Sequence, residues 1–202
     1  MKLSQKKNRR GKPDSTPVDT GPSVLKTGYA PKLILTTTHV LFSPLGRIVA
    51  LDGTNGQTVW DVKKAERSGH FSPEDLFVID GVIWSVNTGK PQHTGTHFKV
   101  MNLRSGEIEQ DFVAKNLPGF PMHPRCYPSR ATTRYIMTNG MGTEFYQVGG
   151  TTVDINNFVR GSCIYGVMPS NGLLYKPPDT CACYYQSKVE YLCALAPASP
   201  DG

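Results

Sequence analysis

The sequence has no long hydrophobic run. A membrane-spanning helix needs roughly 20 consecutive apolar residues, and no stretch comes near that length. The first two dozen residues are basic and polar, without the apolar centre of a secretory signal peptide. As written, the sequence therefore predicts neither a transmembrane segment nor a signal peptide.

Helical patterning is also scarce. Apolar residues at the spacing i, i+3, i+4 and i+7 never continue for more than about two turns, which is short for a helix in a globular protein. The best helical candidate is brief, around Val62–Arg67. Glycine and proline make up 36 of the 202 residues, a turn-rich composition. These features argue against a helical fold.

The folded part of the chain has little net charge. The whole chain carries +6, but residues 1–26 hold seven bases and two acids, which leaves +1 for the rest. A nucleic-acid-binding domain needs a basic face on its folded part, so the composition argues against a nucleic-acid partner. Residues 1–28 are predicted to be a disordered basic tail, and 199–202 a linker or truncated end.

Strand signals recur along the rest of the sequence. They are short runs rich in Val, Ile, Leu, Tyr and Phe, bounded by Gly, Asn, Asp or Pro. The predicted strands are Lys32–Leu35, His39–Ser43, Arg47–Leu51, Thr58–Val62, Leu76–Ile79, Val82–Val86, Phe98–Leu103, Ile108–Phe112, Tyr135–Thr138, Glu144–Val148, Thr152–Ile155, Gly172–Lys176 and Val189–Ala194. Many short strands at close spacing predict an all-β fold.

The runs repeat in a fixed order. The dipeptide Asp80-Gly81 joins two apolar runs and predicts a two-residue hairpin. Gly56 and Gly106 occupy matching turns 50 residues apart, and a further turn at Gly150 follows 44 residues later. Periods of about 40 to 50 residues are typical of propeller blades. We therefore predict a partial β-propeller over residues 29–198, with about four four-stranded antiparallel blades, the last one incomplete.

Several residues have predicted structural roles in these blades. The Asp52 side chain is expected to bond backbone N–H groups in its own turn, which Gly56 closes with a positive φ. Trp60 and Trp84 are expected to pack in the core, with Trp60 between blades. The adjacent carboxylates Glu74 and Asp75 point to opposite faces of a strand, which favours a turn cap over an acid–base pair.

Two blocks of sequence carry a resemblance. Val49-Ala-Leu-Asp52-Gly-Thr-Asn-Gly56-Gln-Thr-Val-Trp60 resembles the PQQ-like β-propeller repeat of quinoprotein dehydrogenases and of the propeller lipoprotein in outer-membrane protein assembly. The second half resembles a narrower bacterial family of PQQ-like propeller proteins, through His123-Pro-Arg-Cys126-Tyr127, Val159-Arg160-Gly-Ser-Cys163 and Cys181-Ala-Cys183.

The resemblance has consequences for the whole protein. Members of the family have more blades than this sequence holds, so the chain is expected to be a fragment of a longer member. The family implies an exported or envelope-associated bacterial protein, in the periplasm or cell envelope. The expected partners are the remaining propeller blades or another protein.

Cysteines offer the main chemical alternatives. Cys193 lies in a predicted strand, where it would serve as a small core residue. The other four, Cys126, Cys163, Cys181 and Cys183, are consistent with disulfides in an exported protein, with a soft-metal site that includes His123, or with isolated thiols. The Cys181-Ala-Cys183 spacing is one residue shorter than zinc sites prefer, and spacing does not determine a disulfide pairing.

No catalytic constellation is evident in the sequence. Quinoprotein dehydrogenases hold their cofactor against a disulfide between adjacent cysteines, and this sequence has no Cys-Cys pair, so neither PQQ nor a metal ion is a firm expectation. Arg125, Arg160 and Tyr127 are candidates for binding an anion or ligand, although internal pairing of the arginines is favoured. The predicted function is a binding or scaffold module. The alternative is a quinone- or metal-dependent oxidoreductase domain at the cysteine block.

Overall fold

The computed structural model describes residues 32–43, 46–63, 75–88, 95–115, 127–139, 142–150, 152–156, 158–178 and 189–198. Every regular element in these ranges is a β-strand. The strands are β1 Leu33–Leu35, β2 His39–Phe42, β3 Arg47–Asp52, β4 Thr58–Lys63, β5 Asp75–Ile79, β6 Val82–Thr88, β7 Gly95–Asn102, β8 Ile108–Lys115, β9 Arg130–Ala131, β10 Tyr135–Thr138, β11 Thr143–Gln147, β12 Val153–Asn156, β13 Met168–Ser170, β14 Leu173–Lys176 and β15 Cys193–Leu195. Within those residues, no helix has the length and apolar character needed to cross a membrane.

The strands form four separate antiparallel sheets in chain order. Sheet 1 is β1-β2-β3-β4, sheet 2 is β5-β6-β7-β8, sheet 3 runs from β9 to β12, and sheet 4 is β13-β14-β15. Each sheet is a simple meander in which neighbours along the chain pair with one another. The predicted all-β class, with about four blades and a shorter last one, is confirmed.

Most strands lie where the sequence places them. The structure adds two short strands that were not predicted, β9 with two residues and β13 with three. β13 contains Pro169, whose missing N–H confines it to an edge strand. The helical candidate around Val62–Arg67 is wrong for its first residues, because β4 continues to Lys63. The remaining residues of that candidate lie outside the described ranges.

Tight turns set the register of the meanders. Asp80 and Gly81 have φ values of 49° and 78°, the pair of positive angles that a type I′ hairpin requires. In the turn after β3, Asp52 Oδ1 accepts hydrogen bonds from Thr54 N at 2.7 Å and from Thr54 Oγ1 at 2.5 Å. Gly56 has φ 73° and donates its N–H to the Asp52 carbonyl. The predicted roles of these turn residues are confirmed.

Sheets 1 and 2 pack face to face through an apolar cluster. Its buried members are Leu41, Ile48, Ala50, Trp60, Leu76, Ile83 and Met101. The Trp60 indole N–H donates across the interface to the Leu103 carbonyl at 3.1 Å. A Cβ on Gly106 would lie 2.6 Å from the Trp60 ring, so the glycine provides the space that the ring occupies. The prediction that Trp60 packs between blades is confirmed.

The second face of sheet 2 packs against sheet 3. The buried members of this cluster are Ile79, Trp84, Val86, Phe98, Val100, Ile136 and Tyr146. Alternate residues of sheet 2 therefore serve two different interfaces, as the two-residue period of a strand requires. Trp84 is part of this core, as predicted.

Polar contacts join sheet 3 to the segment that leads into sheet 4. Arg130 in β9 donates from Nε to the Val167 carbonyl at 3.2 Å and from Nη2 to the Tyr165 carbonyl at 2.9 Å. Thr143 Oγ1 donates to the Val159 carbonyl at 2.7 Å. These side chains bind the connection between β12 and β13 to sheet 3.

Candidate functional site

An aromatic cleft lies between sheets 2 and 3. It has a volume of about 200 Å³. Sheet 2 contributes Trp84, Phe98, Gln110, Phe112 and Ala114; sheet 3 and its turn contribute Ile136, Tyr146, Gln147, Gly149, Gly150, Thr152 and Val153. The cleft is thus bounded by inner and outermost strands of two adjacent sheets, with apolar walls and a few polar groups, as in many small ligand sites.

Four rings build the wall of the cleft. Phe98 stacks on Phe112, with centroids 5.3 Å apart and planes 18° apart. Trp84 and Tyr146 each meet Phe98 edge to face, at 6.1 Å and 4.8 Å. Cross-strand register explains the arrangement, because Val86 pairs with Phe98 and Phe98 pairs with Phe112 on neighbouring strands. Such offset and edge contacts are favourable beyond simple burial, so the rings form a fixed surface.

Tyr146 links the cleft to a buried polar group. Its hydroxyl donates to Thr96 Oγ1 at 3.3 Å. Burial raises the pKa of Tyr146 to about 12, so the phenol stays protonated and remains a donor near neutral pH. Nearby, Thr138 Oγ1 donates to Glu144 Oε2 at 2.5 Å, and both side chains are buried. A buried polar cluster therefore lies behind Tyr146, outside the lining of the cleft.

The Trp84 indole N–H is a buried donor with no acceptor among the described residues. A buried donor without a partner carries a desolvation cost that is not offset by a hydrogen bond. Trp84 also lines the cleft, but its indole nitrogen is closed off from solvent. The residue therefore contributes apolar ring surface to the wall of the cleft.

The β8 strand forms an open side of the cleft. It is eight residues long and pairs only with β7, which leaves its other edge without a partner strand among the described residues. Ile108, Phe112 and Val113 are exposed on it. An exposed edge with apolar side chains can pair with another extended chain. β8 therefore presents backbone groups beside the aromatic cleft.

The sequence predicted part of this site. Trp84 was expected in the core, whereas Phe98, Phe112 and Tyr146 were not singled out. Their signal was the alternation of apolar residues along β7 and β8, but alternation does not show which neighbouring sheet a strand faces.

Two of the predicted ligand-binding residues meet in a buried cluster elsewhere. Arg160 lies 5.8 Å from the Tyr127 ring, and both side chains are buried. The Tyr127 hydroxyl donates to the Gly142 carbonyl at 3.0 Å and accepts from Gly161 N at 3.1 Å. A dissolved anion does not reach a guanidinium in that position, so these contacts favour an internal role for Arg160.

The cysteine block is only partly described. Cys163 is half-buried in the segment before β13, and Cys193, also half-buried, donates from Sγ to the Glu190 carbonyl at 3.0 Å. Cys126, Cys181, Cys183, His123 and Arg125 lie outside the described residues, as do 1–28 and 199–202. Among the residues that the structure does describe, no three His, Cys, Asp or Glu side chains form a group that could hold a metal ion.

The buried carboxylate of Asp75 joins sheet 2 to the segment that leads into sheet 3. Asp75, the first residue of β5, accepts the Ser129 backbone N–H with both oxygens at 3.1 Å. Burial raises the pKa of Asp75, although the positive charges of Lys32 and Arg130 oppose the shift. The bonds that Asp75 makes to described residues differ from the expected turn cap, because they reach the chain just before β9. Glu74 lies outside the described residues.

Comparison with known proteins supports the fold alone. No family model matches the sequence, and no curated protein does. Among solved structures, the chain is similar to the computationally designed Ika4 protein, with a TM-score of 0.53 and 11% identity over 81% of this chain and 88% of that one. It is also similar to Hsv2 of Kluyveromyces lactis, with a TM-score of 0.46 and 12% identity over 72% of this chain and 44% of that one. The described residues, with four antiparallel sheets in succession along the chain, have a propeller-like all-β fold.

Proposed function

We propose that the chain is a binding scaffold, and that the cleft between sheets 2 and 3 receives a side chain from an extended partner segment. The observation that carries the proposal is the combination of an aromatic cleft with an edge strand on its border that pairs with no second strand among the described residues. A partner that pairs with β8 through its backbone would place alternate side chains toward the cleft. Apolar walls favour an aliphatic or aromatic side chain there.

The resemblance of Val49–Trp60 to PQQ-like repeats supports a broader form of the proposal. The module would belong to an exported or envelope-associated bacterial protein, as members of that family do. The alternative is an oxidoreductase centred on the cysteine block. Stoichiometric metal or quinone in aerobically purified protein would favour that alternative, and thiol titration before and after reduction would reveal disulfides instead.

Binding at the cleft is tested with a peptide array and an intrinsic fluorophore. The sequence has two tryptophans, so in a Trp60→Phe background Trp84 reports on the cleft alone. Extended peptides with a single apolar anchor are titrated against the protein. Binding is expected to change Trp84 emission, and Phe112→Glu is expected to weaken it at least tenfold because it places a charge at the cleft wall.

The neighbouring Val113 supplies the matched control. It is exposed on the same strand but points to the opposite face, so Val113→Ala should bind like the parent protein. Peptides with N-methyl groups at alternate backbone positions should lose affinity if the partner pairs with β8. Equal binding by the Phe112 variant and its parent would refute a role for the cleft.

A further inference from the structure

The repeat places corresponding residues of different sheets in register. The turns after β3 and β7 are equivalent, because Gly56 N bonds the Asp52 carbonyl and Gly106 N bonds the Asn102 carbonyl at the same spacing. Leu51, which precedes Asp52, therefore corresponds to Met101, which precedes Asn102. Cross-strand pairing extends this correspondence over both sheets.

Sheet 1 has an outer apolar face that is exposed along β1, although Val49 at its centre is buried. The face consists of Leu33, Leu35, Val40, Phe42, Val49 and Leu51, which share one side through cross-strand register. Leu33 is 63% exposed and Leu35 is 71% exposed. In sheet 2 the residues that correspond to Leu33, Leu35, Val40 and Leu51 are Leu76, Val78, Ile83 and Met101. Those residues are packed against sheet 1, so the outer face of sheet 1 occupies the position that a preceding sheet covers.

Sheet 4 has the complementary face. Its Asn171-Gly172 turn corresponds to Asp80-Gly81, since all four residues have positive φ. Counting from these turns, the residues Met168, Leu173, Tyr175 and Ala194 correspond to Phe77, Val82, Trp84 and Val100 in sheet 2. In sheet 2 that set packs against sheet 3, which is the following sheet. In sheet 4, Met168 is 57% exposed.

We propose that the outer face of sheet 1 binds the outer face of sheet 4 from a second copy of this chain. Each face is apolar, and among the described residues neither face belongs to the buried clusters that its counterparts in sheet 2 join. The face of sheet 1 also has a polar rim, where Arg47 Nε contacts Asp61 Oδ1 at 2.6 Å. An apolar centre with a polar rim is typical of protein interfaces.

The contact is head to tail, so after one contact the first copy still has its sheet 4 face free and the second copy has its sheet 1 face free. Two copies satisfy both pairs of faces when they close into a ring, which is a symmetric dimer. The second copy is favoured as the occupant because it supplies the required register from the same repeat. The contact uses neither β8 nor the aromatic cleft, so it stands or fails independently of the proposed binding function.

Light scattering after size exclusion tests the proposal. The full chain has a mass of 22.2 kDa, and a dimer of twice that mass is expected over a dilution series. Leu33→Asp combined with Leu35→Asp should give a monomer, and Met168→Asp should do the same. Phe158→Asp is the matched control, since Phe158 is exposed and apolar but lies on neither face, and it should remain dimeric.

Mixing the variants tests the geometry. Each variant keeps one intact face, so an equimolar mixture of the Leu33/Leu35 and Met168 variants should recover a heterodimer through a single contact. Circular dichroism identifies any variant that fails to fold, and such a variant is replaced by Leu35→Ser or Met168→Ser. A monomeric parent protein would overturn the proposal and leave these faces to sheets of a different chain. A dimer that persists in both variants would overturn it as well.

Discussion

Asp75 shows how much one residue depends on a neighbour far away in sequence. Its carboxylate is buried and holds the backbone of Ser129, which is 54 positions later. No residue next to Asp75 in the sequence indicates that Ser129 is its partner. Short-range signals are different: the Asp80-Gly81 hairpin was predictable because both positive φ values are demanded by the turn itself. At this scale, residues whose role is local were predictable, and so was the packing of the large Trp60 ring between sheets, whereas the polar partner of Asp75 in another sheet was not.

Substitutions of Asp75 should separate the effect of its charge on stability from the effect of its hydrogen bond to Ser129. Asp75→Ala leaves the Ser129 N–H buried without an acceptor, and we expect a loss of about 1–3 kcal/mol in the free energy of unfolding. Asp75→Asn keeps an oxygen acceptor and removes the charge that burial disfavours, so its loss should be smaller. Urea unfolding of the three proteins at neutral pH measures the order of stabilities.

The same residue gives a pH dependence of definite sign. Because the folded-state pKa of Asp75 is raised, its stabilising contribution is complete below its unfolded pKa, about 3.9, and is lost as the pH rises through the folded value. Asp75→Asn lacks this loss, so its stability relative to the parent protein should improve as the pH increases from acid to neutral. A difference between the two proteins that stays constant with pH would contradict the assignment.

At the scale of strands and turns, hydrophobic alternation was the useful signal. It placed the long strands of sheets 1 and 2, where each run is bounded by a turn with Gly or Asp. It missed β9, which has two residues, and β13, which contains Pro169. Strands this short exist because adjacent strands and sheets hold them, so their own residues carry too little pattern. The aromatic cleft was missed for a related reason, since it is formed by two sheets together.

Two turn glycines provide a matched test of packing between sheets 1 and 2. Gly56 and Gly106 have nearly equal φ values, 73° and 71°, but only Gly106 lies against the Trp60 ring. Gly56→Ala should cost about 1 kcal/mol, the usual penalty for a left-handed conformation. Gly106→Ala carries the same penalty and also displaces Trp60 from its bond to Leu103.

Chemical denaturation of both variants measures this difference. We expect Gly106→Ala to lose roughly 2–4 kcal/mol in total, since overpacking typically adds 1–3 kcal/mol to the backbone cost. Emission from Trp60, measured in a Trp84→Phe background, should change in the Gly106 variant and not in the Gly56 variant. Equal losses for the two variants would show that the ring does not depend on the glycine.

At the scale of the whole molecule, the period of the sequence repeats was the main basis for predicting the fold. Repeats of 44 and 50 residues between matching turns were enough to expect stacked four-stranded sheets, and the described residues form three of them and a fourth sheet of three strands. The number of sheets was predictable because each one is made from a continuous piece of sequence. The partners that cover the outer faces were not predictable, since the sequence of one chain does not identify the molecules that bind to it.

The distribution of charge gives the prediction at this scale. Residues 1–26 carry +5 of the total +6. Removal of that segment should reduce retention on a cation exchanger to that of a nearly neutral protein, and any salt-sensitive binding to nucleic acid should disappear with it. Retention of nucleic-acid binding by residues 27–202 would instead reveal a basic patch on the folded part.

Each sheet of this protein is a self-contained meander, and the strand order never crosses from one sheet into another. Gene duplication or loss of one such unit therefore adds or removes a whole layer without rethreading the chain. By the same property, a break in the chain between two meanders would leave every described strand pair intact. Lineages of such proteins can thus vary in the number of units while the junction between any two of them stays the same.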